Sequence, residues 1–325
     1  MRWCSVAERK GEAVSLVDEA YRNSMELLRR ARHPEGFLAS PSFDHYAAVW
    51  ARDAAVACLG ASVSDEDDLL AGVESTLDTL ARLMTPRGQV PDAYWPGRGY
   101  WDWGEAGTTD STAWFVIALV HHVDSTARTD VARRLWPDVQ RALTWLSYQD
   151  VTGTGLVDSP AGGDWMDSSL NRSGRVFHVN VLAHWAASGA ADLAHRLDLG
   201  ASVPSGPSAD AIEGLFWPAQ GADLADLYAD AAYDDRADVR FSHSLGARSH
   251  AALATPGRRH YLAGVSYGRF TDRCDVLAHC LGITSGLISG DRARDVLSYL
   301  AQTGCDVPFP SRNWPEPVGV DSWSR

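Results

Sequence analysis

The residues best placed for chemistry are carboxylates standing where loops run into apolar segments. Gly107 to Leu119 reads GTTDSTAWFVIAL: turn residues, then Asp110, then an apolar run. Trp114, Phe115, Val116, Ile117 and Leu119 leave the predicted helix almost no polar face, which places it inside the protein. The plain role of such a carboxylate is a cap, with Thr109 or Asp110 accepting from the free N–H groups of the first turn. What favours a site is repetition of the pattern. HYAAVWARDAAVACLGA puts Trp50, Arg52 and Asp53 at the head of an apolar segment. GGDWMDSSLNRSGRVF presents Asp164, Trp165 and Asp167 ahead of a helix that begins near His178 and Asn180. TDRCDVLAHCLGI puts Arg273 and Asp275 ahead of another. The bland alternatives are a buried ion pair for Arg52 with Asp53, a loop or cap acid for Asp167, and a local ion pair for Arg273 with Asp275.

These residues need helices to position them, and the pattern supplies two kinds in alternation. Segments 7–32, 62–84 and 129–149 have one apolar and one polar face, and 289–304 is bounded by Ser289 and Gly304. In the second of these, Ser64 or Asp65 is the expected cap. The apolar segments described above fall between them. From 199 to 254 the periodicity fades, and irregular or short helical structure is expected there. The loop PRGQVPDAYWPGRGYWDWGEAGTTD, with Tyr94, Trp95, Tyr100, Trp101 and Trp103, delivers the chain to Asp110. Long loops with their own aromatics are more often functional than filler. Alternating buried and amphipathic helices are what an all-α, α/α toroid requires: inner helices run parallel, and the loops entering them line one pocket. One such domain spans 1–325.

Composition narrows the function. With 45% hydrophobic residues, the 325-residue chain can bury a substantial core, and its net charge of −13 argues against nucleic acid. No apolar run reaches membrane-spanning length, and the N-terminus lacks the apolar core of a signal peptide. Five scattered cysteines without a CxxC pair fit a reducing, cytoplasmic setting, and no metal-ligand spacing occurs among eleven histidines. No cofactor is expected. Thirteen tryptophans, many in Gly- and Pro-containing loops, suit a small-carbohydrate partner, because a pyranose face stacks on an aromatic plane. A homo-oligomer is compatible with all of this. Asp65 to Asp68 (DEDD) is similar to the acidic signature of class II terpene cyclases, but a solvated first helical turn explains it, and the polar loops speak against an apolar cyclase cavity.

The motifs also resemble a family: the neutral/alkaline invertases and, more loosely, amylo-α-1,6-glucosidase-like proteins, which are (α/α)6-toroid glycoside hydrolases. YAAVWARDAAVACL is similar to their Arg-Asp segment, and TTDSTAWFVIAL looks like the segment carrying their general acid, which implies that role for Asp110. GRVFHVNVLAHW resembles a helix in which Asn180 stands near a family Glu. VSYGRFTDRCDVLAHCLGI aligns without gaps and places Arg273 on a family Arg and His279 on an Asn. The tail DVPFPSRNWPEPVGVDSW resembles the stretch with the second catalytic carboxylate, which implies Glu316, with Asp321 close behind. The family continues past this point with two further helices, so the resemblance implies a C-terminally shortened toroid.

The expectation is an inverting hydrolase of a small α-linked oligosaccharide or glucoside such as sucrose, with Asp110 as acid and Glu316 as base. Trp50, Arg52, Asp53, Tyr94, Trp103, Asp164, Trp165, Asp167, His178, Asn180, Arg273 and Asp275 would hold the sugar. A helix N-terminus lowers a carboxyl pKa, whereas a working acid needs it raised by burial or a neighbouring acid such as Asp164 or Asp167. A sugar-binding protein without catalysis is the alternative.

Overall fold

The computed structural model describes residues 15–40, 42, 46–104, 108–166, 172–200, 203–217, 258–266, 269–307 and 311–315. Asp167, Glu316 and Asp321 lie outside them, as does most of the weakly patterned stretch after 217.

Nine helices occur among these residues: α1 (Leu16–Ala31), α2 (Ala51–Ser62), α3 (Asp67–Leu83), α4 (Asp110–Thr126), α5 (Thr129–Ser147), α6 (Phe177–Leu197), α7 (Ala209–Phe216), α8 (Val276–Thr284) and α9 (Gly290–Gln302). Their patterns decide their depth. In α5 the buried residues Val131, Leu135, Val139, Ala142 and Leu146 recur every three or four positions, so one face packs and the other meets solvent. In α4 every residue from Asp110 to Val120 is buried, as an apolar circumference demands.

Helix α4 lies between α2 and α6, and α8 packs on the far side of α6; α3, α5, α7 and α9 each back the helix before them. The result is an arc of four inner helices with outer helices behind. The inner helices are parallel: their first turns meet at one end, as described below. At the other, Ser62 Oγ of α2 lies 3.0 Å from His122 Nδ1 of α4. Helix α6 joins the two halves of the core, with Leu182, Ala186 and Leu193 packing toward α4 and Phe177 and Val181 toward α7 and α8. Full burial of side chains such as Phe115, Leu77 and Leu182 stabilises the fold by about 1.5–3 kcal/mol each.

The expectation of an all-α fold needs correction. The chain is helix-rich, but three small antiparallel sheets occupy the loop end among the described residues. Strands β1 (Arg32–His33) and β2 (Gly36–Phe37) form a hairpin; β3 (Val49–Trp50), β4 (Ala93–Trp95) and β5 (Tyr100–Asp102) form a second sheet. The third runs β6 (Asp158–Ser159), β7 (Gly174–Val176), β8 (Gly264–Ser266) and β9 (Arg269–Thr271). Loops pressed over buried helix ends must satisfy their own N–H and C=O groups, and pairing with one another does so.

Candidate active site

Arg52 is the second residue of α2, Asp110 the first of α4 and His178 the second of α6. Because these helices are parallel neighbours, the three side chains converge. Arg52 Nε stands 3.3 Å from Asp110 Oδ2, and His178 Nε2 stands 3.6 Å from the same oxygen. Arg52 Nη1 donates to Asp92 Oδ1 at 3.1 Å. Asp110 and His178 are wholly buried, yet among the described residues neither carboxylate oxygen and neither ring nitrogen makes a hydrogen bond of good geometry. The expected cap is absent too: Thr109 occupies the N-cap position of α4 with no side-chain hydrogen bond. Burial alone would push the Asp110 carboxyl up, but the Arg52 guanidinium and then His178 outweigh it and hold it below the ordinary carboxylate value. Burial disfavours the Arg52 cation, but Asp110 and Asp92 outweigh that and raise its pKa.

A second charged cluster lies beside the first. Arg172 donates through Nε and Nη2 to the two oxygens of Asp164 at 2.7 and 3.1 Å, and through Nη1 to Asp275 Oδ2 at 2.6 Å. Asp275 is also the N-cap of α8, its Oδ1 accepting from Ala278 N at 3.0 Å. Asp164 Oδ1 further accepts from Met166 N at 2.8 Å. Burial raises the Asp275 pKa, and Arg172 and His178 outweigh it to hold the group ionised. Trp165 links the clusters: Nε1 donates to Asp275 Oδ2 at 3.4 Å, and its ring centre lies 6.3 Å from that of His178. Gly163 allows this loop to dock, because a Cβ there would meet Ser159 Oγ at 2.6 Å while its carbonyl accepts from Thr109 N at 2.8 Å.

The structure thus brings together Arg52, Asp110, Asp164, Trp165, His178 and Asp275 from the expected set. Others go elsewhere. Asn180 Oδ1 accepts from Val157 N at 2.8 Å, and its Nδ2 donates to Val157 O and Val176 O at 2.9 and 3.0 Å. That amide is committed to backbone, so the expected sugar contact gives way to a structural role. Asp164 is in the second cluster, but held by Arg172 rather than left to raise the Asp110 pKa. Tyr94 lies on the far side of its sheet, with Arg82 over its ring at 5.5 Å, which corrects its expected place in the site. Trp50 and Trp103 are half-buried near the loop end. Asp53 is exposed and does not pair with Arg52, whose partners are Asp92 and Asp110; loss of hydration still pushes its carboxyl up against the Arg52 charge. Arg273 is half-buried outside both clusters; the cations acting on Asp275 are Arg172 and His178.

Sequence reading missed Arg172 and Asp92. Arg172 was detectable in principle, as one of two cations, with Arg175, in a loop with Asp158, Asp164 and Asp167. Asp92, a lone acid after a proline, carried no signal. A cleft of about 450 Å³ lies along the β6–β7 pair, lined by Gln149, Asp158, Ser159, Ser173 and Ser266 among others and by no member of either charged cluster. Ser159 Oγ ties it to Thr109 at 3.2 Å. Among the described residues no group of His, Cys, Asp and Glu is arranged to hold a metal ion, and no helix is long and apolar enough to cross a membrane.

No protein-family model matches the chain, and no curated protein matches it. Solved structures do. A GH78-family rhamnosidase of Bacillus sp. GL1 superposes with a TM-score of 0.54 at 19% identity, covering 90% of this chain and 26% of that one. A rhamnosidase from Klebsiella oxytoca with rhamnose bound gives 0.54 at 18%, covering 93% and 50%. A wild-type glycosidase gives 0.55 at 16%, covering 91% and 72%. The chain therefore spans about a quarter of the first of these proteins and half of the second. At such identities the likeness is one of fold, and the fold is one that glycosidases use.

Proposed function

We propose that the protein is a glycoside hydrolase and that Asp110 is one of its two catalytic carboxyl groups. One observation carries this reading. Asp110 is buried at the meeting point of three inner helices, flanked by Arg52 and His178, with both oxygens lacking hydrogen-bond partners among the described residues. Buried polar atoms are normally satisfied, and sugar hydroxyls are the partners that a glycosidase-type fold would bring. The rhamnosidase and glycosidase neighbours support the reaction class.

The resemblance implied that Asp110 is the proton donor. Its depressed pKa instead suits the ionised partner, either activating water or facing the positive charge that develops on the sugar. The donor is then a second carboxyl from a loop entering the same end, and Glu316, from the tail motif, is our candidate. We read the substrate as a small α-linked oligosaccharide or glucoside, the mechanism as inverting, and the helix arc as part of one (α/α)6-toroid domain over 1–325. A cytoplasmic setting fits the cysteine pattern.

The test is sugar release by the purified chain from sucrose, trehalose, maltose, isomaltose, glucosylglycerate and p-nitrophenyl α-L-rhamnoside, beside Asp110→Asn. Turnover that collapses in the variant is expected; turnover that survives it removes Asp110 from the mechanism. A second reading, a sugar-binding protein, is favoured by one observation: among the described residues, Asp92, Asp164 and Asp275 are all held by arginines.

A further inference from the structure

The sheet β3–β4–β5 has two faces, and its register separates its aromatics between them. Trp50 stands opposite Ala93, Ala93 opposite Asp102, and Trp95 opposite Tyr100. Directly opposed residues share a face, as do residues two apart on one strand. Trp50, Trp95, Tyr100 and Asp102 therefore lie on one side, and Val49, Tyr94 and Trp101 on the other. On the first side the rings form a row that Tyr46 extends. Centroid distances are 6.0 Å from Tyr46 to Trp50, 5.6 Å to Trp95 and 5.5 Å to Tyr100. The two tyrosines are 51% and 54% exposed, while the tryptophans between them are half-buried.

The row is continuous with the buried carboxylate site. Trp50 precedes Arg52 by two residues, Ala51 N donates to Asp92 O at 2.8 Å, and Asp92 N donates to Asp102 O at 2.9 Å. The same Asp92 holds Arg52 against Asp110. For a ligand whose reacting end lies at Asp110, this row is an aromatic surface joined to the site through Trp50 and Asp92. Resting on the hydrolase reading above, we infer that the Tyr46–Trp50–Trp95–Tyr100 face is a glycan platform. It stacks the sugar units of the substrate that lie outside the Asp110 pocket, so the substrate is an oligosaccharide and not a monosaccharide with a small aglycone. Tyrosine and tryptophan suit this occupant because each pairs an apolar ring with a polar tip, matching the apolar faces and hydroxyl rim of a sugar.

Saturation-transfer NMR on the whole chain tests this, with sucrose, maltotriose, isomaltotriose and rutinose in turn beside their monosaccharides. At least one oligosaccharide takes saturation from aromatic protons more strongly than its monosaccharides do. Its affinity falls about three- to tenfold in Tyr100→Ala and Trp95→Ala, the effect of one lost ring contact. Tyr100→Phe keeps the ring and the binding; Trp101→Ala, on the opposite face, also keeps it. The platform is overturned if no oligosaccharide outbinds its monosaccharides. An equal loss in Trp101→Ala, or ring dependence confined to p-nitrophenyl aglycones, overturns it too. Turnover followed in the same samples separates the two readings. Ring-dependent binding without turnover keeps the platform and rejects hydrolysis; turnover indifferent to the rings does the reverse.

Discussion

Two arginines, Arg172 buried and Arg52 half-buried, hold the loop end, and their surroundings are finished to different degrees. Arg172 forms a fork with Asp164 and a third bond to Asp275, whose other oxygen caps α8. Arg52 holds Asp92 but only approaches Asp110, whose oxygens make no hydrogen bond to any of the described residues. Two histidines repeat the contrast. His279 Nε2 accepts from Tyr261 N at 2.9 Å and its Nδ1 donates to Asp275 O at 2.6 Å, which fixes the neutral tautomer. Both nitrogens of buried His178 are unsatisfied among the described residues. Completed networks hold structure together, whereas groups buried without completion keep hydrogen-bonding capacity for a ligand.

If that distinction is right, the two clusters respond oppositely to mutation. Asp110→Asn lowers kcat by roughly 10²–10⁴ while urea unfolding shows a stability within about 1 kcal/mol of the parent. A variant that is active but unstable would merge the two clusters into one structural class. Arg172→Met leaves two buried carboxylates unpaired and costs about 3–5 kcal/mol of stability, read from the same unfolding curves. A near-normal midpoint there would show that Asp164 and Asp275 do not need their arginine.

His279 sharpens the contrast through pH. Burial, opposed by the bond to Asp275, lowers its pKa from 6.5 to about 4. Below pH 6.5 the unfolded chain takes up a proton that the folded one refuses. Stability is therefore full above 6.5 and falls toward pH 4, by roughly 3 kcal/mol for this group. A His279 resonance titrating near 6.5 in the folded protein would contradict this. The smallest test compares two serine caps. Ser208 Oγ accepts from Ala211 N, whereas Ser289 makes no such bond, so Ser208→Ala costs about 1 kcal/mol and Ser289→Ala under about 0.5.

Much of this was legible in the chain. The alternation of apolar and amphipathic segments located α2 through α6, and the residues opening each inner helix do meet at one end. What stayed hidden depends on pairing across space. Strands of two or three residues carry too little periodicity to announce themselves, so the aromatic loop read as irregular. Ser64 or Asp65 looked like the cap of α3, but Asp65 takes a left-handed φ of 57° and Glu66 becomes the cap residue. Arg172 and Asp92 matter only through partners far away in sequence. Asn180 looked like a ligand group because a buried polar side chain on an apolar helix does not reveal which backbone it serves.

The Asn180 amide also bears on how the protein ages. Its two donors meet two carbonyls and its one acceptor meets an N–H, so the side chain stands in for a rung of β-ladder between α6 and the segment before β6. Conversion to Asp by deamidation would turn donors into acceptors against those carbonyls and add a buried charge. Helical backbone and full enclosure oppose that reaction while the fold persists, so damage at this position would accumulate only in molecules that have already opened. Asp at 180 would then mark how often the core had been breached, recording chemically the history of a molecule's unfolding.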